Sequence, residues 1–86
     1  EDSVRTWEPH IALFSANHGL SDVLGIAQEA REYLAPGGYL ICEMGFAQGD
    51  VLRAEFAQLG YAHVEVRKDF AGLDRVVMGQ WATIAE

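Results

Sequence analysis

Glu8, Glu43, three histidines, Cys42 and the loop Gly45-Phe46-Ala47-Gln48-Gly49 are the groups of this 86-residue chain whose type and place could do chemistry. Glu43 closes an apolar run, Tyr39-Leu40-Ile41-Cys42. Open α/β sheets bind ligands beyond the carboxyl ends of their strands, so a carboxylate there could accept hydrogen bonds from a substrate. It could equally be a strand-end residue turning into solvent, as most glutamates do. Glu8 precedes Pro9 and could line a site, or be a surface residue with a capping role. His10, His18 and His63 share no close spacing, and there is no second cysteine, so no metal site is expected. Cys42 sits inside the apolar run and reads as a small buried hydrophobe; a nucleophilic thiolate needs exposure and a positive neighbourhood. The Gly45–Gly49 loop lies where nucleotide loops lie. It fits neither GxGxxG nor the P-loop, and reads as a plain strand–helix connection. Trp7 and Trp81 read as packing groups, because no basic residues interleave with them to make a stacking platform.

These groups need elements to position them. Leu20, Val23, Leu24, Ala27, Ala30 and Leu34 recur at three- and four-residue steps, which predicts a helix over 21–34 with Ser21 or Asn17 as its cap. Ala35-Pro36-Gly37-Gly38 stops it. Pro36 cannot continue the ladder, and Gly37 and Gly38 are expected to take positive φ. The run 39–42 does not alternate, which predicts a strand covered on both faces. A second helix is expected over 48–59, with Val51, Leu52, Phe56 and Leu59 buried and Gly60 as the terminating glycine. Residues 61–68 alternate, so that Val64 and Val66 share one face and His63, Glu65 and Arg67 the other. A short turn, Ala71-Gly72-Leu73-Asp74, leads into a last strand over 75–81, antiparallel to its predecessor. Residues 1–17 show no period. They read as a packed loop, with a short turn of helix over 9–14, and 82–86 as a tail. The fold class is therefore α/β, helix–strand–helix followed by an antiparallel strand pair. Its parts are a 1–19 loop, a 20–81 α/β unit and an 82–86 tail.

Composition narrows the function. Half the residues are apolar and the net charge is −7, with thirteen acidic against six basic residues. That is globular rather than disordered composition, without the basic patch of a nucleic-acid module. There is no signal-peptide pattern and no apolar run near the ~20 residues of a membrane helix. A reduced, cytoplasmic setting is expected. The chain opens on Glu1, and no helix or strand is complete before Leu20, so it is expected to be a piece of something longer.

The motifs carry more together than apart. Val4-Arg5-Thr6-Trp7-Glu8-Pro9-His10-Ile11-Ala12-Leu13-Phe14 comes first, then His18-Gly19-Leu20 and Leu34-Ala35-Pro36-Gly37-Gly38-Tyr39-Leu40. Glu43-Met44-Gly45 with Gln48-Gly49, Gly60-Tyr61, residues 64–69 and residues 74–79 follow in order. From about Val4 to Trp81 this series resembles the carboxyl-terminal part of the HemK/PrmC family of glutamine methyltransferases. The resemblance implies a class I AdoMet-dependent (Rossmann-like) sheet, of which the chain holds the fifth, sixth and seventh strands, the seventh antiparallel between the other two. It implies S-adenosyl-L-methionine as cofactor, and as protein substrate the glutamine of the Gly-Gly-Gln motif in peptide chain release factors. The glycine-rich cofactor loop, the ribose-binding acid and the Asn-Pro-Pro-Tyr that holds the substrate amide all belong upstream of Glu1. No catalytic or cofactor-binding residue is therefore assigned within the chain; Glu8 and Glu43 are its substrate-side candidates. The central strand is expected to lack a neighbour, and its open edge to promote self-association. Two alternatives stand beside this. One is a small α/β interaction module without catalysis. The other is a related methyltransferase with another target, such as a ribosomal protein.

Overall fold

A computed structural model describes residues 4–15, 19–45 and 48–81. Five strands and two helices follow one another as β1 (Val4–Trp7), β2 (Ile11–Ser15), α1 (Leu20–Ala30), β3 (Tyr39–Glu43), α2 (Gly49–Gln58), β4 (Tyr61–Lys68) and β5 (Asp74–Trp81). They form a single mixed sheet in the order β1-β2-β3-β5-β4. β2 and β3 are parallel, joined by α1, as a crossover requires. The last strand is antiparallel to both neighbours and lies between them. Asn17, His18, Phe46, Ala47 and the expected tail 82–86 lie outside the described residues.

The expected loop over 1–17, with its turn of helix, is replaced by a hairpin. β1 pairs antiparallel with β2, Trp7 opposite Ala12 and Arg5 opposite Phe14. The reason is a period-two pattern within Ile11–Phe14 hidden by its uniformly apolar composition. Ala12 and Phe14 are buried while Ile11 and Leu13 are exposed. β2 also occupies the edge of β3 expected to be open, so the central strand has a partner on each side.

The helices are shorter than expected. α1 begins one residue early, with Gly19 as its cap and no side-chain capping bond, so Ser21 lies within the first turn. It ends at Ala30, and residues 32–34 tighten instead into turns, Glu32 N–H donating to Glu29 O and Tyr33 N–H to Ala30 O. α2 buries Leu52 and Phe56 but leaves Val51 exposed, because Val51 is one helical step off the face shared by 52, 56 and 59.

The core is one layer between the helices and one sheet face. Ala12, Phe14, Leu40, Cys42 and Val77 of the sheet meet Val23, Ile26, Ala27, Ala30, Leu52 and Phe56 of the helices. The opposite face carries exposed Ile11, Leu13 and Tyr39. β3 is thus covered on one face, not two: Leu40 and Cys42 are buried and Tyr39 and Glu43 exposed. Tyr61 crosses from β4 into the core, where its hydroxyl donates to Ala27 O at 2.7 Å and its ring lies 5.1 Å from that of Phe56. Among the described residues, no helix is long and apolar enough to cross a membrane.

Candidate functional site

The two candidate carboxylates lie at opposite ends of the sheet. β2 and β3 run in the same direction with Ile11 opposite Tyr39. Glu8, three residues before Ile11, is at their amino end; Glu43, the last residue of β3, is at their carboxyl end. Both are exposed. The structure does not bring them into one constellation.

The amino end is a hydrogen-bonded knot. Glu8 N–H donates to Ile11 O and closes the hairpin turn. The Pro9 carbonyl then accepts from Ala35 N–H at 2.8 Å and the His10 carbonyl from Tyr39 N–H at 2.9 Å. Gly37 N–H donates to Trp81 O, and Trp81 N–H to Gly38 O, both at 2.7 Å. The Glu-Pro and Pro-Gly-Gly motifs are therefore two sides of one contact. Gly37 takes the positive φ expected of it, +90°. Gly38 serves differently: a Cβ there would stand 2.8 Å from the Pro9 carbonyl oxygen. Both tryptophans pack, as the sequence predicts. Trp7 stacks on Tyr33 at 4.6 Å, and Trp81 lies 5.5 Å from Tyr61 and under the Arg31 guanidinium.

The carboxyl end is built of turns. After Glu43, Met44 N–H donates to Arg75 O at 3.0 Å, holding the start of β5 beside the end of β3. Gly45 N–H donates to the Gln48 side-chain oxygen at 3.2 Å, just ahead of α2. Beyond β4, Asp69 organises the next turn. Its Oδ1 accepts from Ala71 and Leu73 N–H, and its Oδ2 from Arg75 Nε at 2.9 Å. Those bonds, the Leu73 amide first, hold the Asp69 carboxyl below its ordinary value of 3.8. Sequence reasoning missed Gln48 and the Asp69–Arg75 pair as rim residues. The spacing Asp69, Gly72, Arg75 was the available signal, since an Asx-type turn uses such residues.

Cys42 is where the sequence puts it. It is fully buried, and burial raises its thiol from an ordinary 9.0 to about 12, so it is a neutral hydrophobe at physiological pH. Burial also raises the Tyr61 phenol, with Cys42 adding to the shift and Arg31 opposing it. Among the described residues, no three metal-ligating side chains converge. No buried side-chain nitrogen or oxygen among them lacks a partner.

No family model matches the chain. Similar whole proteins do. The chain is 48% identical over 81 residues to the release factor glutamine methyltransferase of Aliivibrio fischeri, covering 94% of this chain and 28% of that protein. It is 45% identical over 75 residues to that of Shewanella oneidensis, covering 87% of this chain and 26% of the relative. It is likewise 45% identical over 75 residues to the Neisseria gonorrhoeae protein of that name, covering 87% and 28%. The chain therefore spans little more than a quarter of the length of these relatives.

Proposed function

This chain is homologous, along nearly all its length, to part of the release factor glutamine methyltransferases, and from that premise we propose what it does. It forms the carboxyl-terminal portion of the catalytic domain of an AdoMet-dependent methyltransferase. That enzyme methylates the side-chain amide nitrogen of the glutamine in the Gly-Gly-Gln motif of peptide chain release factors. The observation that carries the reading is the identity of 48% over 94% of the chain. The position of β5, antiparallel between β3 and β4, supports the class I sheet.

A glutamine amide is a poor nucleophile, so holding it in line matters more than activating it. AdoMet, when bound to the whole enzyme, supplies the methyl group. This chain's part is positional. Its sheet carries Glu43, exposed at the carboxyl end of β3, and in this reading Glu43 accepts a hydrogen bond from the protein substrate. Glu8 acts at the far end, through the turn that locks β2 to β3.

The 86-residue chain alone neither binds AdoMet tightly nor transfers methyl groups. Calorimetric titration of the chain with AdoMet checks this, and the expected result is no heat of binding in the micromolar range. Micromolar affinity would contradict it.

A further inference from the structure

Gly45 is a glycine for a reason other than backbone conformation. Positive φ belongs to Gly37, Gly60 and Gly72, not to Gly45. A Cβ there would instead stand 3.2 Å from Gln48 Cδ and 3.4 Å from both its Nε2 and its Oε1. The Gln48 amide thus covers the place a side chain would take. The two residues are also bonded twice. Gly45 N–H donates to Gln48 Oε1 and Gln48 N–H to Gly45 O, each at 3.2 Å. Because the Gly45 amide needs an acceptor, it fixes which way round the Gln48 amide sits.

The pair sits where the chain leaves β3. Met44 N–H donates to Arg75 O at 3.0 Å, and the next amide, that of Gly45, goes to Gln48. Gln48 is itself anchored, its carbonyl accepting from Leu52 N–H of α2 at 2.9 Å. Cys42 and Met44, on either side of Glu43, belong to the core, so the pleat turns Glu43 the other way. Two consecutive backbone bonds, one to β5 and one to Gln48, therefore hold the segment that sets the direction of Glu43. The first extends the pairing of β3 with β5. The second goes to a side chain and can be removed without touching a strand.

We propose that Gln48 is a positioning residue for Glu43: by accepting the Gly45 N–H it holds the end of β3, so that the Glu43 carboxylate meets the protein substrate in one orientation. This rests on the methyltransferase reading above and on the part given there to Glu43. An acceptor assists an oriented reaction only while its own backbone is held, because small displacements of a positioning group cost rate.

The test uses the full-length polypeptide containing these residues, with initial rates of methyl transfer to a purified release factor and unfolding by urea. Gln48→Ala is expected to lower kcat/KM by about tenfold, as loss of one positioning bond implies. Gln48→Glu keeps an acceptor in the same place and is expected to stay within about threefold of the parent. In a Glu43→Gln background, Gln48→Ala is expected to cost less than about twofold, because the group it positions is already altered. Its effect on the unfolding midpoint is expected to be equal in both backgrounds, which separates positioning from a merely structural contribution. Gly45→Ala presses a methyl group on the Gln48 amide; it is expected to slow the parent and not to slow Gln48→Ala further. Parent-like rates in Gln48→Ala, or an equal fold-loss with and without the Glu43 carboxylate, overturn the positioning role and leave the methyltransferase reading intact. A Glu43→Gln variant that methylates at full rate overturns the part given to Glu43, and this inference with it, while methyl transfer itself stands. A parent protein that does not methylate release factor overturns the methyltransferase reading and the inference together.

Discussion

The two ends of the sheet are built on different plans. At the amino end, the turns at Pro9 and Gly38 and the end of β5 are joined by short backbone hydrogen bonds, with no room for a Cβ at Gly38. At the carboxyl end, the turns bond mainly to themselves: Gly45 to Gln48, and Asp69 to Ala71, Leu73 and Arg75. Their side chains are left facing water. One end is committed to holding the strands in register; the other is free to vary what it presents. Such a division lets the groups on one edge change on a scaffold whose register is fixed elsewhere.

The rigid amino end is perturbed most readily at Gly38. Gly38→Ala drives a methyl group against the Pro9 carbonyl, a backbone atom with little freedom to move. The expected cost is about 1–3 kcal/mol, read from urea unfolding. A neutral result would mean that the amino end is not the rigid one.

Next comes the core between the ends. Buried Cys42 keeps its proton to about 12 where the unfolded thiol loses it near 9.0. The unfolded chain then binds fewer protons, so stability falls as pH rises from 9 toward 12 and is untouched below 9. The loss is on the order of 1 kcal/mol one pH unit above 9. Cys42→Ala is expected to flatten this slope in unfolding titrations between pH 8 and 10.5, leaving the Tyr61 contribution. Native Cys42 should also resist thiol-labelling reagents until the chain unfolds.

A smaller effect is expected at the carboxyl end. The Asp69 carboxyl is held below its ordinary value, so it contributes stability above about pH 4 that is lost as pH falls through its lower native value. Asp69→Asn should remove that acid-limb dependence and loosen the turn, seen as faster amide exchange at Ala71 and Leu73. Unchanged exchange there would show that the carboxylate does not organise the turn.

The smallest stability effect is expected at Glu43. Being exposed at a strand end, Glu43→Gln should leave unfolding within about 0.5 kcal/mol of the parent. In the full-length enzyme it should nonetheless slow methyl transfer. A full rate would remove Glu43 from the substrate side of the edge.

Much of this was legible in the residues. The α1 stripe, the glycine stops at Gly37 and Gly60, the strand Tyr61–Lys68 and the burial of Cys42 follow from periodicity and turn chemistry. The β1–β2 hairpin was hidden because Ile11, Ala12, Leu13 and Phe14 are all apolar, so their alternation shows only once one face is seen to be open. The both-face burial expected of β3 failed for the same reason. An apolar run marks a strand that prefers cover, but Tyr39 stays exposed when the helices occupy one side only. The candidate site was partly legible. Glu43 lies on the carboxyl edge as the strand-end argument held. The opposite placement of Glu8 depends on the parallel register of β2, which no local pattern encodes.

The proposed methyl transfer is measured by incubating the full-length protein that contains this chain with AdoMet and an unmethylated release factor, then locating the product by peptide mass spectrometry. One added methyl group on the glutamine of the Gly-Gly-Gln peptide is expected. A release factor left unmodified, while a different protein in the same reaction gains the methyl group, would contradict it.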